Sequence, residues 1–155
     1  MIKLAEVKPQ QKELLWNLLQ KFLYEMTNYY DDEMDALGNY SYRYFEDYFT
    51  DPERTAFFLY HDKALVGFAM IHPYSYLDEH PDHVLAEFTI FPMYRRKQIG
   101  KQAAELILKT YGGSWEIKYN EKNTAAKALW NQIAAPYHPV RHSYSENETV
   151  LTFSC

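Results

Sequence analysis

The sequence predicts an α/β domain in which strands and helices interleave along one continuous fold. Three observations carry this prediction. First, a helical stripe near the N-terminus is followed by a β-rich middle and then by further helix and strand patterns in turn. Second, a chain of 155 residues has the size of one domain, about 100–200 residues. Third, no internal repeat, linker or low-complexity stretch divides residues 1–155.

Ile2 to Val7 reads as a short first strand. Pro9 opens a helix, and Leu15, Leu18, Leu19, Phe22, Leu23 and Met26 recur at three- and four-residue spacings, which buries one helix face. An acidic stretch from Asp31 to Asp35 and the turn residues Gly38 and Asn39 follow. Tyr42 to Phe49 reads as a second short, aromatic helix that ends near Asp51 and Pro52.

Thr55 to Tyr60 and Ala64 to His72 read as strands joined by a turn at residues 61–63. Pro81 breaks the chain, and Val84 to Phe91 is a further strand closed by Pro92. A helix from Ile99 to Tyr111 stops at Gly112 and Gly113. Trp115 to Tyr119 is the next strand. Asn123 is the expected N-cap of a helix from Thr124 to about Ala134, which Pro136 ends. Val140 to Ser145 and Thr149 to Phe153 make a closing hairpin.

Composition narrows the function classes. Apolar residues are 47% of the chain and aromatics 17%, enough for a packed core. The net charge of −5 argues against nucleic acid, whose binders carry a basic face. The lone Cys155 allows no internal disulfide and suits a reducing compartment. No signal-like segment and no long apolar run are visible, so a cytoplasmic protein without membrane contact is expected. The six histidines show no metal-ligand spacing, and no metal is expected; His72, His80 and His83 read as surface residues around a proline-rich turn.

The chemistry concentrates between Glu87 and Gln102, where a strand ends, a basic loop follows and a helix begins. The first N–H groups of a helix lack internal partners and its dipole favours anions. Arg95, Arg96, Lys97 and Lys101 add positive charge there, and Gly100 permits close approach to the backbone. The pattern suits a pyrophosphate, although a solvated basic helix start looks the same in sequence.

This stretch resembles the acetyl-CoA-binding motif of the GCN5-related N-acetyltransferase (GNAT) superfamily, Q/R-x-x-G-x-G/A, which here runs from Arg95 through Gln98 and Ile99 to Gly100. Asn123, Ala126, Leu129 and Trp130 resemble its second signature, N-x-x-A-x-x-L/F-Y. The resemblance spans essentially the whole chain. It implies a mixed, mostly antiparallel central sheet flanked by helices, with the fourth and fifth strands splayed apart. It also implies acetyl-CoA as co-substrate, bound by Phe88, Thr89, Ile90, residues Arg95 to Lys101, Asn123 and Trp130. Two positions depart from the family. Gln98 replaces the usual first glycine, a change a helical backbone with an outward side chain would accommodate. Trp130 replaces a tyrosine that protonates the departing thiolate in many members, and an indole N–H is too weak an acid for that role.

The implied reaction is attack of a primary amine on the thioester, with the Ile90 N–H polarising the carbonyl. Glu87 is the candidate base, acting through water. Strand parity sets Glu87 opposite Phe88 and Ile90 without saying which face holds the site. Tyr119 and Tyr137 flank the presumed site as further candidates for the missing acid. Tyr29, Tyr30, Asp31, Asp32 and Asp35 form an acidic, aromatic segment that would favour a cationic small-molecule amine as acceptor. A homodimer is an assembly open to such a domain. The alternative reading is an acyl-CoA-binding sensor or interaction module without catalysis.

Overall fold

The computed structural model describes all 155 residues. Seven strands form one sheet: β1 (Ile2–Glu6), β2 (Thr55–His61), β3 (Ala64–His72), β4 (His83–Ile90), β5 (Ser114–Asn120), β6 (Val140–Ser145) and β7 (Glu148–Ser154). Their order is β1-β2-β3-β4-β5-β7-β6. Every pairing is antiparallel except β4 with β5. Three helices cover it: α1 (Lys12–Met26), α2 (Ile99–Tyr111) and α3 (Thr124–Ala134). None is long and apolar enough to cross a membrane.

The expected elements form for the expected reasons, with one correction. Asn123 caps α3 by accepting the Ala126 N–H at 3.2 Å. Gly112 and Gly113 end α2 at φ +60° and +85°, a backbone that glycine adopts without steric cost. The second helix expected over Tyr42–Phe49 does not form. Its first half is turn, and only Glu46–Phe49 makes a 3₁₀ turn. Its aromatic residues are held by tertiary packing rather than by helical periodicity: Phe45 sits edge-on to Trp16 at 4.9 Å and beside Phe49 at 5.6 Å. The segment is also too short for an α-helix to be sustained by its own backbone bonds.

The two faces of the sheet carry unequal cores. Twenty buried residues, including Leu85, Ile107, Trp115, Ile117 and Trp130, lie on the α2–α3 face. Only nine, including Leu15, Leu19, Phe58, Phe68 and Met70, lie on the α1 face. α1 therefore covers only part of its face, and tyrosines and charged groups occupy the remainder.

Two local features set the site. Glycine is obligatory at Gly67, because a Cβ there would stand 2.0 Å from the Thr89 carbonyl oxygen. This lets β3 and β4 approach closely opposite Ile90. Further along, Met70 pairs with Glu87 but Ile71 pairs with Leu85, so Ala86 is a bulge residue. The extra residue turns Leu85 and Phe88 to the α2–α3 core and leaves Glu87 on the α1 face.

Candidate active site

β4 and β5 pair only at His83, Val84 and Leu85 against Trp115, Glu116 and Ile117, and then separate. The remainder of β4, Ala86 to Ile90, thus presents an edge without a strand partner on the β5 side. Phe91 donates its N–H to Val66 O at 2.7 Å, and its pairing with β3 continues through Thr89 and Phe68. The alternation of an antiparallel ladder turns the amide groups of Phe88 and Ile90 towards the opening. Thr89 differs from the other two: its main chain pairs with β3, and its side chain is buried on the α1 face.

Beyond β4 the chain makes a tight loop before α2. Arg96 and Gln98 both adopt left-handed backbone, φ +61° and +64°. Gln98 is exposed as expected, but its backbone is left-handed rather than right-handed helical. That conformation explains why a glycine would be at ease at this position. The N–H groups from Arg96 to Lys101 donate to no backbone or side-chain acceptor of the chain. A Cβ at Gly100 would meet only Ile90 and Leu129 side chains, at 3.6 and 3.9 Å, so the fold itself does not require glycine there. Ile99 is buried and anchors the start of α2. The loop carries a run of free amides with the exposed cations Arg96 and Lys97 beside it, which is the chemistry an anionic phosphate group needs.

Arg95 does something the sequence did not suggest. Its guanidinium grips Glu25 of α1 through two bonds of 2.6 and 2.7 Å and donates through Nε to Ile90 O at 2.7 Å. All its charge-assisted bonding is thus internal, and it ties α1 to the mouth of the opening. Trp130 is also buried, edge-on to Phe88 at 5.0 Å. It packs α3 onto β4 on the α2–α3 side. Asn123 uses its side chain for the helix cap. Tyr119 accepts from Asn131 Nδ2 at 3.1 Å, and Tyr137 stacks on Phe153 at 5.7 Å.

The α1 face of the opening is built from side chains. Glu87 is half-buried, and its carboxyl is pushed up to about 8, chiefly by burial; the Lys118 ammonium and the Tyr42 hydroxyl act in the opposite direction. Tyr42, Tyr48 and Tyr76 share this pocket, and burial together with the nearby Glu87 charge holds all three phenols protonated well above their ordinary value. Gln20 fixes the approach to Tyr42 through two bonds to the Tyr40 main chain, of 2.8 and 2.6 Å. Glu116, fully buried, accepts from the Ser75 hydroxyl and from the Tyr76 N–H at 2.8 Å, which sets Tyr76. Alongside, a cavity of about 530 Å³ runs between α1 and the end of β4, past Phe22, Glu25, Thr89 and Arg95.

The acidic segment is divided by the structure. Tyr30 reaches the site and donates to Glu148 at 2.9 Å. Tyr29 is half-buried beside it, whereas Asp31 and Asp32 are exposed. Asp35 spends one carboxylate oxygen on the N–H groups of Leu37 and Asn39, both at 2.9 Å, and so closes its own turn. The histidines expected at the surface are also divided. His80 is exposed, but His72 is half-buried with its pKa pulled down to about 4 by burial. His83 packs on Trp115 at 4.7 Å. Tyr42, Tyr48, Tyr76, Glu116, Lys118 and Glu148 were not singled out from sequence. Their only early signal is the excess of tyrosine, 15 residues in the chain.

Comparison with known proteins agrees with this architecture. The chain aligns with an acetyltransferase from Thermus thermophilus at TM-score 0.70 and 21% identity, covering 100% of this chain and 97% of the other. It aligns with a spermidine N-acetyltransferase from Vibrio cholerae, crystallised with CoA and spermine, at TM-score 0.65 and 11% identity, covering 99% and 94%. The ribosomal-protein-S18-alanine N-acetyltransferase of Escherichia coli gives TM-score 0.64 and 13% identity, with the same coverage. No protein of curated function matches the sequence. The model of the acetyltransferase (GNAT) family matches residues 16–135, most of the chain and all of the opening between β4 and β5, and this protein therefore belongs to the GNAT acetyltransferase family.

Proposed function

We propose that this protein is an acetyl-CoA-dependent N-acetyltransferase acting on a primary amine of a small cationic molecule, by direct attack in a ternary complex. The observation that carries the reading is the opening between β4 and β5, with free amides at one end and a half-buried carboxylate of raised pKa on its α1 side. Structural neighbours crystallised with CoA, one of them also with spermine, support a CoA and an amine on this fold.

Acetyl-CoA supplies the activated acyl group. The amides of Arg96 to Lys101 hold its pyrophosphate, while Phe88 and Ile90 offer main-chain groups to the pantetheine arm. In this reading the Ile90 N–H polarises the thioester carbonyl. The amine approaches from the α1 face. It is unreactive as an ammonium, and Glu87 takes its proton through water; a carboxyl titrating near 8 is well matched to that task at neutral pH. Trp130 supplies no proton. None is required at that moment, because thiols ionise near pH 8.5 and CoA departs as a thiolate.

The test is an acetyl-CoA assay of free thiol release across a panel of amines, with calorimetry on acetyl-CoA in parallel. Turnover with a cationic primary amine is the expected result. Tight binding without turnover on any amine would make the domain an acyl-CoA-binding module, the role that the loss of the tyrosine acid favours. Absence of binding would overturn both.

A further inference from the structure

The α1 face of the opening contains an ammonium site already filled by the chain itself. Lys118 is the first β5 residue beyond the last pair with β4, and its side chain is mostly enclosed. Its Nζ lies 3.1 Å from Glu148 Oε2, 4.6 Å from the centre of the Tyr76 ring and 5.4 Å from that of Tyr144. The two rings meet edge to face at 5.7 Å. Tyr30 donates to the same Glu148 oxygen at 2.9 Å, and Ser145 donates to the other at 2.8 Å. Aromatic faces joined to a carboxylate are the chemistry that recognises an ammonium.

Two of the three walls of this cage have supports other than the lysine. Tyr76 is fixed by its N–H on the buried Glu116, and Glu148 is fixed by Tyr30 and Ser145. Lys118 is the one long, flexible member, with its charge at the end of a four-carbon stem. It is also close enough to Glu87 for its charge to act there.

We propose that the cage of Tyr76, Tyr144 and Glu148 is a second ammonium subsite of the acceptor pocket and that Lys118 is its resident placeholder. The favoured acceptors then carry two amino groups: one loses its proton towards Glu87, and the other takes the place of Lys118 in the cage. The exchange replaces one ammonium by another, so the Glu148 carboxylate keeps a cationic partner while the Lys118 ammonium swings out on its flexible stem, whereas a monoamine has nothing with which to displace the lysine. The inference rests on the acetyl-transfer reading only for the reacting amine; the cage as a cation subsite does not depend on turnover.

The experiment compares butylamine with a series of α,ω-diaminoalkanes, using wild type, Lys118→Met, Glu148→Gln and Tyr76→Leu, each checked for a cooperative melt. The readout is the ratio of diamine to monoamine kcat/KM. Calorimetry of diaminobutane on CoA-saturated protein gives a second readout without chemistry. Lys118→Met empties the cage and should raise the ratio and the diamine affinity about tenfold, equivalent to about 1.4 kcal/mol. Glu148→Gln or Tyr76→Leu should lower both by a similar factor. Equal responses of the two amine classes, or weaker diamine binding in Lys118→Met, would overturn the proposal. The second of those results would instead make Lys118 an anchor for an anionic acceptor group. Diamine binding that follows the variants without any acetylation would leave the subsite standing and remove the transferase reading. Acetylation of monoamines and diamines alike would do the reverse.

Discussion

The two ends of the opening between β4 and β5 are made of different material. At the loop before α2 the site is main chain: a row of unpartnered N–H groups with two residues in left-handed backbone. On the α1 face it is side chain: Glu87, Lys118, Glu148 and a group of tyrosines brought in from the α1–β2 connection, the β3–β4 loop and the closing hairpin. A main-chain site depends on conformation and tolerates change in most of its side chains. A side-chain site depends on identity at each position.

Substitutions can break or sharpen that contrast. The largest effect should come from Glu87→Gln on the side-chain end. General-base loss costs about 10²–10⁴-fold in turnover, while acetyl-CoA affinity should hold. In wild type kcat/KM should rise with pH to a plateau above about 8, as Glu87 ionises, and the variant should lose that limb. The same proton couples to folding. Because the folded pKa of Glu87 lies above its unfolded value, its contribution to stability is complete below the ordinary carboxylate range and is lost as pH rises through about 8. Melting curves of Glu87→Gln should show a weaker decline across that window; parallel curves for the two proteins would show that Glu87 is not protonated on folding.

Next comes Gly100→Trp at the main-chain end. Acetyl-CoA affinity should fall about 100-fold, equivalent to about 2.8 kcal/mol. Gly100→Ala is the stability control: its melting temperature should change little, because a Cβ there makes only ordinary van der Waals contacts with Ile90 and Leu129. Retained affinity of Gly100→Trp in calorimetry would mean that the ligand does not cross this loop.

A smaller effect is expected from Trp130→Phe. This residue belongs to the packing between the two ends, so stability should fall by about 1–3 kcal/mol, which for a chain of this size is about 2–4 °C in Tm per kcal/mol. The alkaline limb should persist in the rate profile. Its loss would make Trp130 part of the proton chemistry.

The smallest effect should come from replacing Asp31 and Asp32 by asparagine. Both are exposed, and exposed charges are screened beyond about 8 Å at physiological ionic strength. The KM for a cationic acceptor should shift by about twofold at low salt and converge with wild type at high salt. A large shift that survives high salt would put these carboxylates in contact with the acceptor.

Much of the fold could be read in advance because its signals are local. The stripe from Leu15 to Met26, the glycine pair after Tyr111 and the cap at Asn123 each act within a few residues. The aromatic segment before Asp51 misled for the opposite reason. Its hydrophobic spacing is satisfied by Trp16 and the α1 face, which lie far away in sequence. The amide-rich loop was legible as a motif, but the role of Arg95 was not, since Glu25 lies 70 positions earlier.

The sequence by itself determined the order of elements, the amide-rich loop and the family signature, all of which rest on short-range backbone preferences and fixed spacings. Only the tertiary structure decided which face of β4 carries Glu87, through the bulge at Ala86 and the glycine at Gly67 that lets β3 close on it. It also decided which of the 15 tyrosines gather around the opening and that Lys118 lies among them. The physical reason is the same in each case. Strand register and side-chain cages are fixed by contacts between distant segments, and no local propensity encodes which partner a residue will meet.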